Sequence, residues 1–367
     1  MRSRPRILLL EIEFPTWKVA RSWSYAAGLG MEEGLAAAEI DYLTVTTPWF
    51  PRIREICAGQ RFDQVWLDIA RHQVMEDSWL EYVASLAPVR VAFLGESLEY
   101  TPDEWLIDSE LRLRKQKTWN RLRYVTHVAA VDEHDAESIA VFGKRPAIMW
   151  PQAVPARFIT DELPAPCDGP AVFSGAPYGS RAGWLARPDL QRWLRPMVSP
   201  ENATLLPELF DAIHSAVDEF LASEKLASPM RIFEYLHHLR LIRHDSFRLW
   251  LEGMRTGCAV VNLPHVVKGY AGRVVEAMAA GRPMISWRIP DRPRNLALFV
   301  DGDEILLYSP DSPDELAEHI ARVANDPVLA QRLATSALRK VRERHTVEHR
   351  VRQILDWVEN GDEPAYA

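Results

Sequence analysis

The chain has 367 residues, of which 47% are hydrophobic and 26% are charged; this is typical of a folded protein and is too long for one ordinary core. Its formal net charge of −8 argues against a duplex nucleic acid as partner, because such binding needs a basic face to neutralise phosphates. The cysteines, Cys57, Cys167 and Cys258, are widely spaced and indicate free thiols in a reducing compartment rather than disulfides or a zinc site.

The first residues predict a β-strand rather than a signal peptide. The apolar run covers only residues 7–10 before Glu11 and Glu13 interrupt it, whereas a secretory h-region needs ~7–15 apolar residues. No stretch approaches the ~18 apolar residues of a transmembrane helix, so we expect a cytoplasmic protein. Basic residues between 112 and 123 at helical spacing predict a solvated face, with a peripheral membrane surface or an anionic acceptor groove as the alternative.

Short apolar runs alternate with amphipathic stretches through the first 155 residues. Strands are predicted at 6–12, 40–47, 62–70, 89–97, 125–132 and 146–154. Helices are predicted at 22–38, 76–87, 103–123 and 133–143. This alternation predicts βαβ units and a mostly parallel sheet.

A segment with four prolines in seventeen residues, 154–170, then interrupts the pattern and is interpreted as a linker. It divides the chain into a first domain, a linker, a second domain and a terminal helix, placed at 1–155, 156–170, 171–342 and 343–367. Strands of the second domain are predicted at 171–177, 258–264, 283–289 and 304–309, with a helical region at 188–244 and helices at 246–257, 312–326 and 327–360. Two such α/β domains leave a cleft, and ligands bind beyond the carboxyl ends of the strands.

A glycine-containing turn, VFSGAPYGSR, follows the first strand of the second domain. Gly175 and Gly179 permit a close backbone approach, and Arg181 follows them. Backbone N–H groups and a guanidinium suit a diphosphate, whereas an ordinary strand-to-helix turn is the alternative.

A second glycine-containing loop opens the stretch KGYAGRVVEAMAAGRPMIS at 268–286. Gly269 and Gly272 permit a tight turn, and a helix from about Arg273 places Glu276 in its first turn, near the positive end of the helix dipole. The alanines that follow keep this helix thin, so a flat ligand can approach. Glu276 can then accept hydrogen bonds from a ribose diol, or it is only a partner of the dipole.

This stretch and the following LFVDGDEILLYSPDSPDELAEHI resemble the nucleotide-sugar domain of GT-B glycosyltransferases. The resemblance covers about 171–358 outside the helical region, and it points to the group-1 (family 4) enzymes and their spore-maturation branch. It implies two Rossmann-like domains facing across a cleft and a last helix that crosses back to the first domain. It also implies a retaining, metal-independent transfer of a hexose from a UDP- or GDP-sugar to a hydroxyl acceptor, with no tightly bound cofactor.

The resemblance assigns roles to residues around the second loop. Glu276 matches the second glutamate of the family's E-x7-E motif, which binds the donor ribose. The first glutamate, near the donor sugar, is replaced by Lys268, which favours a phosphate or an anionic sugar and leaves the stereochemistry open. Arg181 matches the phosphate-binding arginine, Arg273 is predicted to make a second phosphate contact, and His265 is predicted to reach the donor sugar or pyrophosphate, unless it is only structural.

An acceptor base is expected at the strand ends of the first domain. Glu13, Asp68 and Glu96 follow predicted strands, and a carboxylate there can deprotonate a hydroxyl or cap the next helix. We favour Glu96 and Glu13 of the first domain and Lys268 of the second as catalytic groups, and Asp68 as an acceptor contact. A predicted acceptor surface consists of Trp17, Trp23 and Tyr25.

Three alternatives stay open at this stage. The stretch DGD at 301–303 can be a metal-binding motif, although its place before EILLYS favours a turn. An epimerase or phosphorylase can use the same frame, although no pyridoxal-type lysine motif is visible. A catalytically degenerate binding protein is favoured only by Lys268. The sequence leaves the donor base and sugar, the acceptor and the oligomeric state open.

Overall fold

The structure is a computed structural model that describes residues 4–12, 29–70, 75–106, 111–175, 179–197 and 229–366. Six parallel strands form the first sheet in the order β2-β1-β3-β4-β5-β6. They are β1 (Arg6–Glu11), β2 (Asp41–Thr46), β3 (Gln64–Asp68), β4 (Val89–Leu94), β5 (His127–Ala130) and β6 (Ala147–Met149). The helices of this half are α1 (Leu29–Ala37), α2 (Ile53–Ile56), α3 (Asp77–Ala84), α4 (Leu111–Arg121) and α5 (Glu133–Val141), with 3₁₀ turns at Thr47–Arg52, Glu104–Leu106 and Leu122–Tyr124.

A 3₁₀ turn at Ala156–Phe158 leads to a second parallel sheet, whose order is β11-β10-β9-β7-β8. Its strands are β7 (Ala171–Phe173), β8 (Leu194–Pro196), β9 (Val260–Asn262), β10 (Met284–Trp287) and β11 (Leu306–Tyr308). Its helices are α6 (Ser180–Ala186), α7 (Pro188–Gln191), α8 (Pro229–Met254), α9 (Gly272–Ala279), α10 (Pro293–Leu296), α11 (Pro313–Asn325) and α12 (Pro327–Arg344), and the last helix is α13 (Val347–Asn360). No described helix is long and apolar enough to cross a membrane.

Three elements differ from the sequence prediction. The region predicted to be helical from residue 188 contains the strand β8, which lies at the edge of the sheet. Pro196 is tolerated there, because an edge strand pairs on one side only and its missing N–H interrupts no hydrogen bonding inside the sheet. The helix predicted over 103–123 is described only as a 3₁₀ turn at Glu104–Leu106 and as α4 from Leu111. The predicted terminal helix is two helices, because Thr346 is extended and its side chain caps a new helix at the His349 N–H.

The first sheet is buried on both faces, as its continuous apolar strands predict. Leu8 and Leu10 of β1 face the large core that extends into the second half. Ile7 and Leu9 face the opposite side, where the last helix covers them with its buried residues Val351, Ile354 and Trp357. The predicted crossing of the last helix back to the first domain is therefore confirmed.

The two connections between the halves lie side by side. Val154 N donates to His345 O at 3.2 Å, and Val347 N donates to Val154 O at 3.1 Å, which makes a short parallel bridge. Arg350 is buried beside it and donates from Nε to Pro151 O at 2.8 Å. The bridge ties the segment that leaves the first sheet to the segment that returns to it.

The halves also meet through the amino end of α5. Asp132 is fully buried and receives two hydrogen bonds from the Arg292 guanidinium, Nε–Oδ1 at 2.6 Å and Nη2–Oδ2 at 3.1 Å. Glu133 accepts from the backbone N–H of Arg294 at 3.2 Å and of Asn295 at 2.7 Å, and so caps α10 across the interface. We call Asp132, Glu133 and Arg292 the interdomain clamp.

Asp135 lies two positions beyond Glu133 on α5. Its Oδ2 accepts from Leu98 N at 2.8 Å. Burial, together with the neighbouring Asp132 charge, raises the pKa of Asp135 to about 8. A carboxyl whose pKa is higher in the folded than in the unfolded chain binds more protons when folded, so the contribution of Asp135 to stability falls as pH rises between these two values.

The packing of α13 predicts that Trp357→Ala lowers the free energy of unfolding by about 3–5 kcal/mol, because the indole is 4% exposed and its removal leaves a cavity. Urea denaturation measures this loss. The neighbouring exposed Asp356 provides a control, since Asp356→Ala is expected to change stability by less than about 0.5 kcal/mol. Equal effects of the two variants would contradict the burial of the indole against the first sheet.

The environment of Asp135 predicts that Asp135→Asn stabilises the protein increasingly as pH rises from 5 to 8. The amide oxygen can still accept the Leu98 N–H, but it carries no charge that burial penalises. Thermal melts of both proteins at several pH values measure the difference. Glu137→Gln on the exposed side of the same helix is the control for the loss of one carboxylate. A pH-independent difference for Asp135→Asn would refute the raised pKa.

Candidate functional site

A cavity of about 790 Å3 lies where the carboxyl ends of the two sheets face each other. The first half contributes residues that follow β4 and its loop: Thr101, Asp103, Glu104 and Leu106. The second half contributes residues that follow its own strands: Gly179, Ser180, Pro264, His265, Val266, Lys268, Trp287, Pro290, Asp291 and Arg292. This is the edge at which open α/β sheets bind ligands.

Two arginines flank one aromatic ring beside this cavity. The Cζ atoms of Arg181 and Arg273 lie 5.6 and 5.5 Å from the centroid of the Phe173 ring at the end of β7. Arg273 Nη1 donates to Asn262 Oδ1 at 2.9 Å, which fixes its guanidinium at the end of β9. Gly175 has φ +142°, and a Cβ there would lie 2.8 Å from Arg273 Nη2, so only glycine leaves room for this arginine.

His265 lies between this pair of arginines and the cavity wall. Its Nδ1 accepts from Val267 N at 3.1 Å, and its ring meets the Trp287 ring edge to face at 5.9 Å. Burial lowers the pKa of His265 well below its usual value, and the positive charges of Arg181, Arg273 and Lys268 lower it further. The imidazole is therefore neutral near pH 7.

Lys268 connects the two halves at the cavity. Its ammonium pairs with the Glu104 carboxylate, and its backbone N–H donates to Ser97 Oγ at 2.7 Å. Gly269 follows, and a Cβ on it would lie 2.8 Å from the Val131 carbonyl oxygen. The glycine is thus required by the close approach of the first half.

Glu276 differs from the sequence prediction in its position on the helix. Because α9 begins at Gly272, Glu276 lies in the second turn and not in the first, away from the end of the helix dipole. Its carboxylate is fully buried and accepts from Trp250 Nε1 at 2.8 Å. It is not among the described residues that line the cavity.

The candidates of the first half are dispersed. Glu96 pairs with Arg114, which also donates to Tyr100 Oη at 2.9 Å. Asp68 accepts from Ala70 N at 2.7 Å, and so it closes the turn after β3. Neither is among the described residues that line the cavity. Glu13, Trp17, Trp23 and Tyr25 lie outside the described residues.

The DGD stretch forms the turn before β11. Asp301 Oδ1 accepts from Leu307 N at 3.0 Å, and its Oδ2 receives a bond from Arg288 at 2.9 Å. Asp303 pairs with Arg332 at 2.8 Å. In the part of the chain that the structure describes, no group of three or more His, Cys, Asp or Glu side chains is arranged to hold a metal ion.

The sequence reasoning missed several residues around the cavity. Glu104, Trp287 and Arg292 all line it, and none was singled out. Glu104 and Arg292 meet partners more than 150 residues away in the chain, so no local spacing indicates them. Only Trp287 carried a local signal of a role in the site, because its indole ring has an N–H donor and lies near the carboxyl end of a predicted strand.

Comparison with known proteins extends these observations. Residues 237–356 match the model of a family described as glycosyl transferase-like. No curated protein sequence matches the chain. HepE of Anabaena, solved in complex with UDP and glucose, is 14% identical, with a TM-score of 0.54 over 97% of this chain and 100% of its own. Sucrose-phosphate synthase of Thermosynechococcus elongatus is 14% identical, with a TM-score of 0.55 over 97% of this chain and 98% of its own.

A third solved structure, the trehalose-6-phosphate synthase OtsA, is 10% identical, with a TM-score of 0.55 over 97% of this chain and 99% of its own. At such identities the likeness establishes the fold alone. It confirms the prediction of two Rossmann-like α/β domains made from the chain's strand–helix alternation and its motifs. The chain therefore has the fold of the GT-B glycosyltransferases, and its C-terminal third matches the glycosyl transferase-like family.

Proposed function

We propose that the chain is a glycosyltransferase that moves a hexose from a nucleoside-diphosphate sugar to a hydroxyl acceptor. The observation that carries this proposal is the pair Arg181 and Arg273, whose Cζ atoms lie 5.6 and 5.5 Å from the centroid of the Phe173 ring at the carboxyl edge of the second sheet. Two guanidinium groups held this close favour a ligand with at least two negative charges. The match of residues 237–356 to the glycosyl transferase-like family supports the same activity.

The proposed chemistry follows from charge. When the bond between the anomeric carbon and the phosphate oxygen breaks, the sugar becomes oxocarbenium-like and the leaving nucleoside diphosphate gains negative charge. Arg181 and Arg273 stabilise that charge without reorganising, since Asn262 and the Phe173 ring already hold them in place. This proposed route needs no metal ion. The stabilisation of the leaving group is the same whether the configuration at the anomeric carbon is retained or inverted.

The remaining donor contacts are assigned by proximity. Gly175, Gly269 and Gly272 are proposed to let the donor approach the backbone, and Lys268 is proposed to bind the sugar end, where the Glu104 carboxylate now neutralises it. Glu276 is proposed to bind the ribose. This last contact requires access to a carboxylate that is buried against Trp250.

The acceptor side is proposed from the first half. Glu96 is the preferred base, and its carboxylate pairs with the Arg114 guanidinium. Glu13 remains a second base, and Asp68, Trp17, Trp23 and Tyr25 are proposed acceptor contacts. Retention of configuration, the hexose, the cytoplasmic location and membership of the spore-maturation branch stay predictions.

A second candidate function is a binding protein on the same fold, without transfer activity. One observation favours it: Lys268, at the position where the resemblance expects a glutamate, is engaged by Glu104 across the cleft. An epimerase is a third candidate, because the fold alone does not separate it from a transferase.

Thermal melts with UDP, GDP, dTDP, ADP and CMP test the donor site. At least one nucleoside diphosphate is expected to raise the melting temperature, since a ligand at 100 times its Kd adds about 2.7 kcal/mol to the stability of the fold. Arg273→Ala is expected to abolish that shift. Arg332→Ala, which removes a half-exposed guanidinium elsewhere in the same half, is the matched control and should retain it.

Product analysis then separates the three candidates. A transferase releases the nucleoside diphosphate from the matching nucleotide sugar, slowly to water and faster with an acceptor. An epimerase converts the sugar without needing an acceptor, and a binding protein leaves the nucleotide sugar intact. Absence of any nucleotide shift in the wild type would refute the proposed function.

A further inference from the structure

Two residues that line this cavity carry buried ring N–H groups without a hydrogen-bond partner among the described residues. They are Nε2 of His265 and Nε1 of Trp287, on side chains that are 8% and 4% exposed. Both residues line the cavity, and their rings are in edge-to-face contact at 5.9 Å. Buried polar atoms of native proteins are almost always paired, so two adjacent exceptions on one cavity wall indicate a missing ligand.

The tautomer of His265 is fixed by its backbone contact. Val267 N donates to Nδ1 at 3.1 Å, so Nδ1 carries a lone pair and the ring proton of the neutral imidazole is on Nε2. Burial and three nearby cations keep the pKa of this ring low, so it does not take up a second proton near pH 7. The indole N–H of Trp287 is also only a donor. The wall therefore presents two uncharged donors and no acceptor at these atoms.

The register of the sheet explains why the two donors lie together. His265 follows β9, Trp287 ends β10, and the strands pair with Ser286 opposite Asn262. The residues after these positions leave the sheet at the same edge. The charged groups beside the donors are already engaged: Lys268 pairs with Glu104, and Arg292 pairs with Asp132.

We propose that His265 and Trp287 form a neutral donor pair that binds oxygen acceptors of the nucleoside diphosphate and so contributes to donor selection. The proposal rests on the proposed function, because it assigns a role within the same site. A group with lone pairs and no hydrogen fits both donors. In a nucleoside diphosphate such oxygens come from two sources, the diphosphate itself and the carbonyl groups of the base.

Paired substitutions isolate the two N–H groups. In His265→Gln the amide nitrogen lies about as far from the backbone as Nε2, whereas in His265→Asn the shorter side chain keeps an acceptor for the Val267 N–H but has no donor at that distance. Trp287→Phe removes the indole N–H and keeps an aromatic ring. Trp150→Phe is its matched control, because Trp150 Nε1 also lacks a partner among the described residues but packs on Phe93 in the first sheet, 5.0 Å between ring centroids.

Calorimetric titration of each protein with UDP and GDP provides the measurement. We expect His265→Asn and Trp287→Phe each to weaken binding of the nucleotide that the wild type prefers by about tenfold, the usual effect of one lost hydrogen bond. His265→Gln is expected to stay within about threefold of the wild type, and Trp150→Phe to be unchanged. The melting temperature of unliganded Trp287→Phe should equal that of Trp150→Phe, since neither variant loses a bond.

Two further probes identify the source of the acceptor oxygens. If the diphosphate supplies these oxygens, the substitutions weaken the binding of inorganic pyrophosphate and do not change the binding of the nucleoside. If the base supplies them, the effect is on the nucleoside only. If His265→Asn and Trp287→Phe bind UDP and GDP as tightly as the wild type does, the donor pair is overturned, while the proposed function stays intact. A wild type that binds none of the nucleotides tested by thermal melts would overturn both.

Discussion

The architecture around the cavity depends on the buried ion pair between Asp132 and Arg292. Both side chains are buried, so water does not solvate their charges, and each charge is compensated by the other. Removal of either side chain would leave an isolated charge in a low dielectric. Glu133 adds a carboxylate at the amino end of α10, which orients that short helix from across the interface. Because the two walls of the cavity belong to different halves, this clamp determines how far apart they lie.

The second constraint is the concentration of positive charge at the end of β7. Arg181 and Arg273 are adjacent to the same ring, and burial together with their charges lowers the pKa of His265 below its ordinary value. Like charges brought together raise the free energy of the empty site, and an anionic ligand lowers it. The site thus combines two kinds of hydrogen-bond donor. The charged guanidinium groups attract an anionic ligand from a distance, whereas the neutral N–H groups of His265 and Trp287 bind only an acceptor that is correctly positioned.

Local patterns predicted the parts of this molecule that local physics controls. Apolar runs gave the strands of both sheets except β8, whose three residues at a sheet edge have too little pattern to be detected. The sequence predicted glycine-containing loops at 175 and 269, but the groups that approach these glycines, Arg273 and the Val131 carbonyl, come from distant parts of the chain and were not predicted. The break at Thr346 was missed, although a threonine three residues before His349 is an ordinary helix-capping pattern. The clamp could not be predicted, because its partners are 160 positions apart.

The return of α13 to the first sheet has a consequence for biosynthesis. The strands of that sheet are complete once residue 149 has been made, but Ile7, Leu9 and Trp66 are covered by a helix that begins at Val347. Ribosomes add about 5–20 residues per second, so this apolar face waits on the order of ten to forty seconds for its cover. During that interval the apolar face of the nascent first domain lacks its cover, and the last helix is the segment that completes the domain.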